Sequence, residues 1–373
     1  MKLMHDGLKD FLRLEEYIKS QKIGFISLEI PLPKWIKNLT KLINNYSIGL
    51  QIRREYRHIS MGLTSLKFSD VDTIFIFEIY NQHLLFVMPL FAIMALRGKE
   101  VLICLHGNQQ FAMTSKLKFW GLLYLKAYLK LFKNLKVVSF EVDDDVLPEK
   151  FRLPEKSKYI IPHPIISEAK PKFLPGERIP SNVPIKIGVV GMIRPDKPIN
   201  QVIDKLQEYI KSSEHQCELV IGTPFGQKPK YLDELNVTLY DTTKQEEYIQ
   251  ILTEIDILVI HYDKDRYYYR TSGVISDAAS CGCYIIASDY PMIKHQVSWP
   301  EKIGSTFSDF NQISNLIDEG IVHIREKGQD NHWLWREGRT AKAIAKVLFP
   351  DNYKLDTKVE KGELGATELG NNS

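Results

Sequence analysis

Short apolar runs of strand length recur along this chain, and helical stretches separate them. Runs of Val and Ile without polar alternation are typical of strands buried on both faces, which occur in parallel sheets covered by helices. The alternation therefore predicts an α/β protein. The predicted strands lie near Ile23–Ile30, Thr73–Ile79, Val101–Leu105, Val137–Phe140, Tyr159–Ile161, Ile185–Val190, Glu218–Ile221, Val237–Tyr240, Ile257–His261 and Tyr284–Ala287.

A proline-rich stretch interrupts this series of strands. Between Pro162 and Pro184 the chain reads "PHPIISEAKPKFLPGERIPSNVP", with six prolines and no periodic pattern. Such a composition indicates a linker, and a chain of 373 residues is too long for one ordinary core. We therefore predict two doubly wound, Rossmann-like domains with a central cleft. The predicted parts are an amino-terminal domain over 1–164, a linker over 165–184, a carboxyl-terminal domain over 185–330, a helix over 331–349 that returns to the first domain, and a disordered tail over 350–373.

The composition restricts the class of protein. A formal net charge of +3 and a 44% share of hydrophobic residues are ordinary for a globular protein and give no support to a nucleic-acid partner. The four cysteines lack the spacing of a zinc site or a disulfide framework, which fits a reducing cytoplasm. The longest run without polar residues, Leu84 to Leu96, is shorter than the ~20 residues of a membrane-spanning helix.

The first unusual strand end is "IKIGVVGMIRPDKP". Here Gly191 follows the strand, and Arg194 and Lys197 precede a helix. Ligands bind beyond the carboxyl ends of strands in open parallel sheets, and helix N-termini bind anions. Cations at this place oppose the helix dipole. They therefore indicate a clamp that binds phosphate, and two ordinary solvated loop residues are an equally good interpretation.

The second unusual strand end is "RTSGVISDAASCG", which follows the strand near Ile257–His261. Thr271 and Ser272 can cap a helix, Gly273 permits close approach of a ligand, and Arg270 adds positive charge. Asp277, about one turn along, can accept hydrogen bonds from ribose hydroxyls. An ordinary capped helix with an exposed acid is the alternative.

A third loop, Gly222-Thr223 and the residues after it, follows the strand near Glu218–Ile221 and can line a pocket for a base. Taken alone, it is equally typical of a turn.

The segments "VVGMIRPDKP", "LVIGTP", "TEIDILVIHY" and "RTSGVISDAASCGCYIIASDYP" together resemble the carboxyl-terminal domain of GT-B glycosyltransferases, in particular the retaining family 4. The resemblance covers roughly Ile185 to Asp309. It implies that Arg194 and Lys197 grip the donor diphosphate and that Asp277 holds the ribose. It also implies that the backbone amides of Ser272, Gly273 and Val274 meet the phosphates.

The chain departs from this family at three places. Tyr269 stands where the family carries the first of two acids, the second acid is Asp277 rather than Glu, and the glycine-rich loop after the first strand is missing. Donor binding is therefore better supported than catalysis. Asp263, Asp265 or a donor phosphate oxygen are the candidates for the role of the missing acid.

In the first half, His106 follows a predicted strand, and the resemblance implies that it lies near the transferred sugar. A histidine bonded to the backbone is the alternative. His163 in "IPHP" and Glu78 are weaker candidates. Asp143 to Asp145 suggest a divalent metal, but a solvated acidic loop is the favoured interpretation.

The stretch Lys116–Lys136 holds six lysines, no acid and interleaved aromatic residues. Leu117, Trp120, Tyr124, Ala127 and Leu131 fall at helical spacing, which fits an anionic membrane surface or a lysine-rich solvent face.

We predict a cytoplasmic glycosyltransferase, of the hexosyltransferase class, peripheral to the inner face of a membrane. It would use a nucleotide-diphosphate sugar and no metal, and would act with retention on a glycan or lipid-linked acceptor in surface polysaccharide or glycoconjugate synthesis. A catalytically weak subunit that partners an active transferase, favoured by Tyr269, and a sugar-nucleotide epimerase are the alternatives. A nicotinamide dehydrogenase is disfavoured, since no strand runs into G-x-G-x-x-G.

Overall fold

The computed structural model describes residues 32–42, 46–67, 72–76, 79–165, 170–193, 199–227, 231–232 and 237–349. These residues form two parallel sheets with helices packed on them, so the predicted α/β class and the two Rossmann-like sheets are confirmed. The predicted strand Ile23–Ile30 and the tail 350–373 lie outside the described residues. Elements are numbered below along the described part of the chain.

The first sheet has the order β1-β2-β3-β4 within the described residues, and all its pairs are parallel. Its strands are β1 (Thr73–Ile76), β2 (Glu100–Cys104), β3 (Leu135–Phe140) and β4 (Lys158–Ile161). The helices of this half are α1 (Lys34–Leu42), α2 (Tyr46–Ser65), α3 (Asn81–Leu96), α4 (Asn108–Thr114) and α5 (Lys116–Leu131).

The second sheet has the order β10-β9-β8-β5-β6-β7 and is also parallel throughout. Its strands are β5 (Ile185–Val190), β6 (Cys217–Thr223), β7 (Thr238–Asp241), β8 (Ile257–Ile260), β9 (Tyr284–Ser288) and β10 (Gly304–Phe307). The helices of this half are α6 (Asn200–Ser212), α7 (Gln245–Glu254), α8 (Lys264–Tyr267), α9 (Gly273–Ser280), α10 (Pro291–Ser298), α11 (Ile313–Lys327), α12 (Asp330–Glu337) and α13 (Ala341–Leu348).

Both faces of the first sheet are buried, because alternate residues of its strands enter different apolar clusters. Val101 and Ile103 of β2 pack in the cluster that α3 and α5 supply. Leu102 packs on the other face with Ile344 and Leu348 of α13. The last helix of the described chain therefore covers the first sheet.

The predicted single helix over 331–349 is wrong, because the chain is broken between α12 and α13. Arg339 lies in the break and is fully buried. Thr340 then caps α13, its hydroxyl accepting from the Ala343 amide at 3.2 Å. Arg339 is four residues after Trp335 and seven after His332, so it lies on the same side of the chain as these two fully buried residues.

Two local predictions also differ from the structure. The spacing of Thr243 and Glu246 in the sequence predicts a capping box. That box is absent, since α7 begins at Gln245 and the Thr243 hydroxyl donates to Asp241 instead. Strand β10 was not predicted, because its sequence "GSTF" has few apolar residues.

Glu141, directly after β3, is the centre of a buried cluster that joins the two halves. Arg339 donates to both of its carboxylate oxygens, with 3.0 Å between Nη2 and Oε2. The His163 amide donates to Oε1 at 2.7 Å, and His295 of α10 bonds to Oε2 at 2.7 Å. Glu141 has a φ of +63°, a conformation that costs energy for a residue other than glycine. These contacts therefore hold a strained backbone in place.

Candidate functional site

The second sheet reverses its strand order at β5, which pairs with β6 on one side and β8 on the other. Loops at such a point of reversal leave a crevice between them. Gly191, just after β5, has a φ of +123° that favours glycine, and its amide donates to the Gly222 carbonyl at 2.9 Å. The structure therefore brings together these two predicted donor residues.

Arg194 and Lys197 lie outside the described residues, in the stretch 194–198 just before α6. Their role as a phosphate clamp stays a prediction. The loop after β6 is bonded to the end of β7. The Asp241 carboxylate accepts from the Phe225 amide at 3.1 Å and from the Thr243 amide at 2.9 Å.

Ser272 caps α9, as its residue type predicts. Its hydroxyl oxygen accepts from the Ile275 amide at 3.3 Å and also bonds to Tyr262. Gln296 of α10 holds the Ser272 backbone from both sides, accepting from its amide at 3.2 Å and donating to its carbonyl at 2.8 Å. Of the three amides predicted to meet phosphate, that of Ser272 is thus already used within the protein.

The remaining first-turn residues of α9 and its approach are partly exposed: Arg270, Thr271, Gly273 and Val274. A side chain built at Gly273 would meet no described atom within 4 Å, so the backbone there is open to a ligand.

Asp277 is buried in α9 rather than exposed on it. One oxygen, Oδ2, accepts from the Tyr248 hydroxyl at 3.1 Å, while Oδ1 is buried and has no hydrogen-bond partner among the described residues. Burial penalises the charged carboxylate and raises its pKa to about 7. A buried oxygen without a partner costs free energy unless a ligand supplies a donor.

Thr223, at the end of β6, shows the same feature. It is fully buried, and its Oγ1 has no hydrogen-bond partner within the described part of the chain. Thr223 Oγ1 and Asp277 Oδ1 are thus unpaired at two of the predicted donor residues. The same half also holds buried nitrogens without a partner among the described residues, at His323, Arg325, His332 and Arg339.

His106 and Arg270 lie at the contact between the two halves. The next residue after His106, Gly107, has a φ of +74°, and a Cβ there would lie 3.3 Å from Arg270 Cγ and Cδ. The Arg270 guanidinium also lies 5.6 Å from the Phe111 ring centroid. The His106 Nε2 lies 3.5 Å from Cys104 Sγ. The structure thus places the loop of His106 beside Arg270, which lies just before Ser272, the cap of α9.

Tyr269 does not replace the chemistry of an acid. Its side chain is buried, and its hydroxyl donates to the Val142 carbonyl of the other half at 3.0 Å. Its amide donates to Gln110 Oε1 at 2.7 Å, and Gln110 Nε2 donates to the Asp265 carbonyl at 2.8 Å. Gln110 was missed by sequence reasoning, since nothing marks a glutamine in a short helix as a contact between halves.

Asp263 and Asp265, the candidates for the missing acid, lie at the start of α8. The Asp263 carboxylate accepts from the Asp265 amide at 2.9 Å, so it caps that helix. Asp265 is exposed.

The acidic stretch Asp143 to Asp145 is not a fully solvated loop. Lys158 pairs with Asp143 and lies 2.9 Å from Asp144. Asp144 is buried and also accepts from the Leu153 amide at 2.7 Å and from Gln109 at 2.6 Å. Its oxygens therefore hold the turn together. The described residues contain no group of His, Cys, Asp and Glu arranged to hold a metal ion.

His163 is buried, and burial lowers its pKa to about 4. Its Nδ1 lies 3.0 Å from the Ser276 hydroxyl of α9, so it supports the helix that carries Asp277. Glu78 lies outside the described residues.

The lysine-rich helix α5 ends at Leu131, earlier than predicted, because Leu135 and Lys136 already belong to β3. Its core side consists of Leu122, Leu125 and Leu129. Of the predicted stripe, Leu117, Trp120, Ala127 and Leu131 are exposed and Tyr124 is half-buried. No helix in the described ranges is long and apolar enough to span a bilayer.

No protein-family model matches this chain, and no curated protein matches it significantly. Solved structures do match. The galactosyltransferase WaaB of the lipopolysaccharide outer core has a TM-score of 0.52 and 15% identity, over 81% of this chain and 81% of that one. Sucrose-phosphate synthase from Thermosynechococcus elongatus has a TM-score of 0.53 and 16% identity, over 90% of this chain and 82% of that one. HepE from Anabaena, solved with UDP, has a TM-score of 0.51 and 13% identity, over 84% of both chains. The chain therefore has the GT-B fold of these proteins.

Proposed function

We propose that this GT-B chain is a glycosyltransferase that moves a sugar from a nucleotide-diphosphate sugar to a glycan or lipid-linked acceptor. The observation that carries the proposal is the buried Asp277 carboxylate, whose Oδ1 has no partner in the described part of the chain. It lies in α9, on the fold that HepE uses in its complex with UDP. A ribose hydroxyl would supply the missing donor.

The chemistry requires stabilisation of the leaving diphosphate as charge develops on it. Arg194, Lys197, Arg270 and the first-turn amides of α9 are the groups we assign to it, with His106 near the transferred sugar. These groups are cations and dipoles, so we propose a reaction that needs no metal. Retention of the anomeric configuration is proposed from the resemblance to family 4.

The acceptor is proposed to be a surface polysaccharide or another glycoconjugate in synthesis at the cytoplasmic face of a membrane. The exposed Leu117, Trp120 and Leu131 of α5, with lysines at the same surface, support contact with anionic lipid.

A catalytically weak partner subunit is the second candidate, and Tyr269 favours it. Its hydroxyl and amide are both used in contacts between the halves, so this position serves the structure and supplies no acid. Donor binding without transfer is the behaviour that this alternative predicts.

The test uses calorimetric titration of the full chain with UDP, GDP and their sugars, followed by assay of nucleotide release in excess EDTA. One nucleotide should bind, and Asp277→Asn should weaken its binding. The matched variant Asp204→Asn, at an exposed position of α6, should leave binding unchanged. Binding with no release supports the partner subunit, and absence of nucleotide binding contradicts both.

A further inference from the structure

A groove separate from the donor site lies between α2, α3 and the start of α5. It encloses a cavity of about 470 Å³. Four apolar side chains form part of its lining, Ile52, Leu85, Phe86 and Leu117. Phe86 is 59% exposed, which is unusual for so large an apolar residue on a well-packed helix.

Three polar residues in the same lining are incompletely bonded. His83 is 1% exposed and bonds through Nδ1 to Glu55 Oε2. His83 Nε2, Glu55 Oε1 and Gln82 Oε1 are buried, and none has a hydrogen-bond partner among the residues that the structure describes. Unpaired buried polar atoms are costly, and a ligand that bonds to these three atoms would remove that cost.

Two of these atoms, Glu55 Oε1 and Gln82 Oε1, are oxygens that accept hydrogen bonds. The third, His83 Nε2, can bond to a hydroxyl group, which both donates and accepts. The ligand that matches them must supply several donors. It must also place an apolar face against Phe86. A saccharide does both, since its hydroxyls donate and the C–H faces of its ring are apolar.

The groove is tied to the loops that face the donor half. Asn81, the first residue of α3, donates to the carbonyls of Asn108 at 2.8 Å and Lys118 at 3.0 Å. Asn108 follows His106 and Gly107, and Gly107 packs against Arg270. A molecule in the groove would therefore lie beside the contact between the two halves.

We propose that this groove binds a saccharide, with Glu55 and Gln82 accepting from its hydroxyls, His83 Nε2 bonding to a further hydroxyl, and Phe86 packing on its ring. Its assignment as the acceptor of the transfer rests on the proposed function. Saccharide binding itself does not depend on the donor.

The experiment measures binding of octyl glucoside, octyl galactoside, octyl N-acetylglucosaminide and octyltrimethylammonium to the full chain by saturation-transfer NMR, with UDP affinity measured on the same samples. Phe86→Ala is exposed enough to fold normally, and Leu96→Ala, on the same helix but outside the groove, is the matched control. Phe86→Ala should weaken glycoside binding about ten-fold, as expected for loss of a stacking ring. Leu96→Ala should change neither affinity, and Glu55→Gln should weaken glycoside binding alone.

The outcomes separate the two proposals. Glycoside binding that falls in the groove variants while UDP affinity is unchanged supports the saccharide site. The saccharide site is overturned if none of the three glycosides binds, or if Phe86→Ala and Leu96→Ala have equal effects. It is also overturned if octyltrimethylammonium binds more tightly than the glycosides. If the wild-type chain binds the glycosides but does not bind UDP, the proposed donor site is overturned and the saccharide site in the groove is kept.

Discussion

Asp277 combines a bonded oxygen, an unpaired oxygen and an altered proton affinity in one buried side chain. Burial raises its pKa to about 7, so in the free protein the carboxyl group gains its charge only near neutral pH. A ribose hydroxyl that donates to Oδ1 stabilises the charged form. Binding and ionisation of this group are therefore linked.

We predict that nucleotide affinity rises with pH up to about 7, by as much as about ten-fold per unit, and is constant above it. Binding near pH 7 should release a proton, which calorimetry in buffers of different ionisation enthalpy would detect. In Asp277→Asn both the pH dependence and the proton release should vanish. A wild-type affinity that does not vary between about pH 5.5 and 8 would contradict the role of this carboxylate.

The proposed clamp gives a second prediction. Arg194→Ala and Lys197→Ala should each weaken nucleotide diphosphate binding by ~1.5–3 kcal/mol, the range for hydrogen bonds to charged groups. Both should weaken nucleoside binding much less, because the lost contacts are to phosphate. Equal affinity of wild type and both variants for UDP would refute the clamp.

Sequence reasoning located Asp277 because a cap and an acid one turn later form a local pattern. It missed Tyr248, which bonds to Asp277, and it could not decide between a ligand-binding acid and an exposed one. It also could not assign Tyr269, whose partner Gln110 lies 159 positions away. Burial and partners of this kind are set by tertiary packing, which local patterns do not contain.

At the scale of the element, α5 presents two different surfaces. Leu122, Leu125 and Leu129 pack in the core of the first half, while Trp120 and Leu131 are exposed. The helical spacing of Leu117, Trp120 and the residues after them predicted a helix but could not show which apolar residues would remain outside. The strands were easier to predict, since continuous Val and Ile runs differ from their surroundings, and among the strands that the structure describes only the polar β10 was missed.

We predict that the triple variant Lys116→Gln, Lys130→Gln and Lys133→Gln binds anionic vesicles less tightly than wild type. Loss of three charges near a membrane surface should cost up to about 1 kcal/mol each, and added salt should weaken wild-type binding in the same way. Co-sedimentation with phosphatidylserine vesicles measures this. Replacement of Lys205, Lys211 and Lys302, all in the other half, is the control and should have little effect. If vesicle binding does not change with salt or with the three lysine replacements, this surface is an ordinary solvent face.

Arg339, in the break between α12 and α13, is fully buried and bonded to Glu141. We predict that Arg339→Ala lowers the free energy of unfolding by about 3–5 kcal/mol, because it leaves the Glu141 charge buried without its partner. Adding Glu141→Gln to that variant should recover part of the loss. Urea unfolding measures both. Lys205→Ala breaks the surface pair with Glu208 and should cost less than about 1 kcal/mol, so similar losses in the two single variants would argue against the cluster.

At the scale of the whole molecule, the two halves are joined by buried polar contacts rather than by an apolar interface alone. Burial by itself would raise the pKa of Glu141, but Arg339 and the hydrogen bonds of His295 and His163 lower it to about 2. Burial lowers the pKa of both His163 and His332 to about 4. The two sheets were predictable from the sequence; these contacts join residues up to 198 positions apart and were not.

We predict that the protein loses stability in acid in two overlapping steps. His163 and His332 bind protons more weakly when folded, so stability is full above about pH 6.5 and falls towards pH 4, by up to about 3 kcal/mol per histidine. Glu141 adds a loss between about pH 4.5 and 2 with the same sign. Urea midpoints measured across this range should decline throughout. His332→Gln should reduce the loss of stability at the higher pH values, whereas His215→Gln, at a more exposed site, should not. A wild-type urea midpoint that does not change from pH 7 to 4 would contradict the role of the two histidines.

The position of α13 affects how this chain can fold during synthesis on a ribosome. Strands β2 and β3 emerge early, but Ile344 and Leu348, which cover Leu102 and Phe140, emerge only after the whole second sheet. Until then one face of the first sheet is open to water and to chaperones. The amino-terminal half therefore cannot finish folding before the carboxyl-terminal half has been made, although its strands come first. Its nascent form should be the stage most exposed to aggregation and most dependent on chaperones.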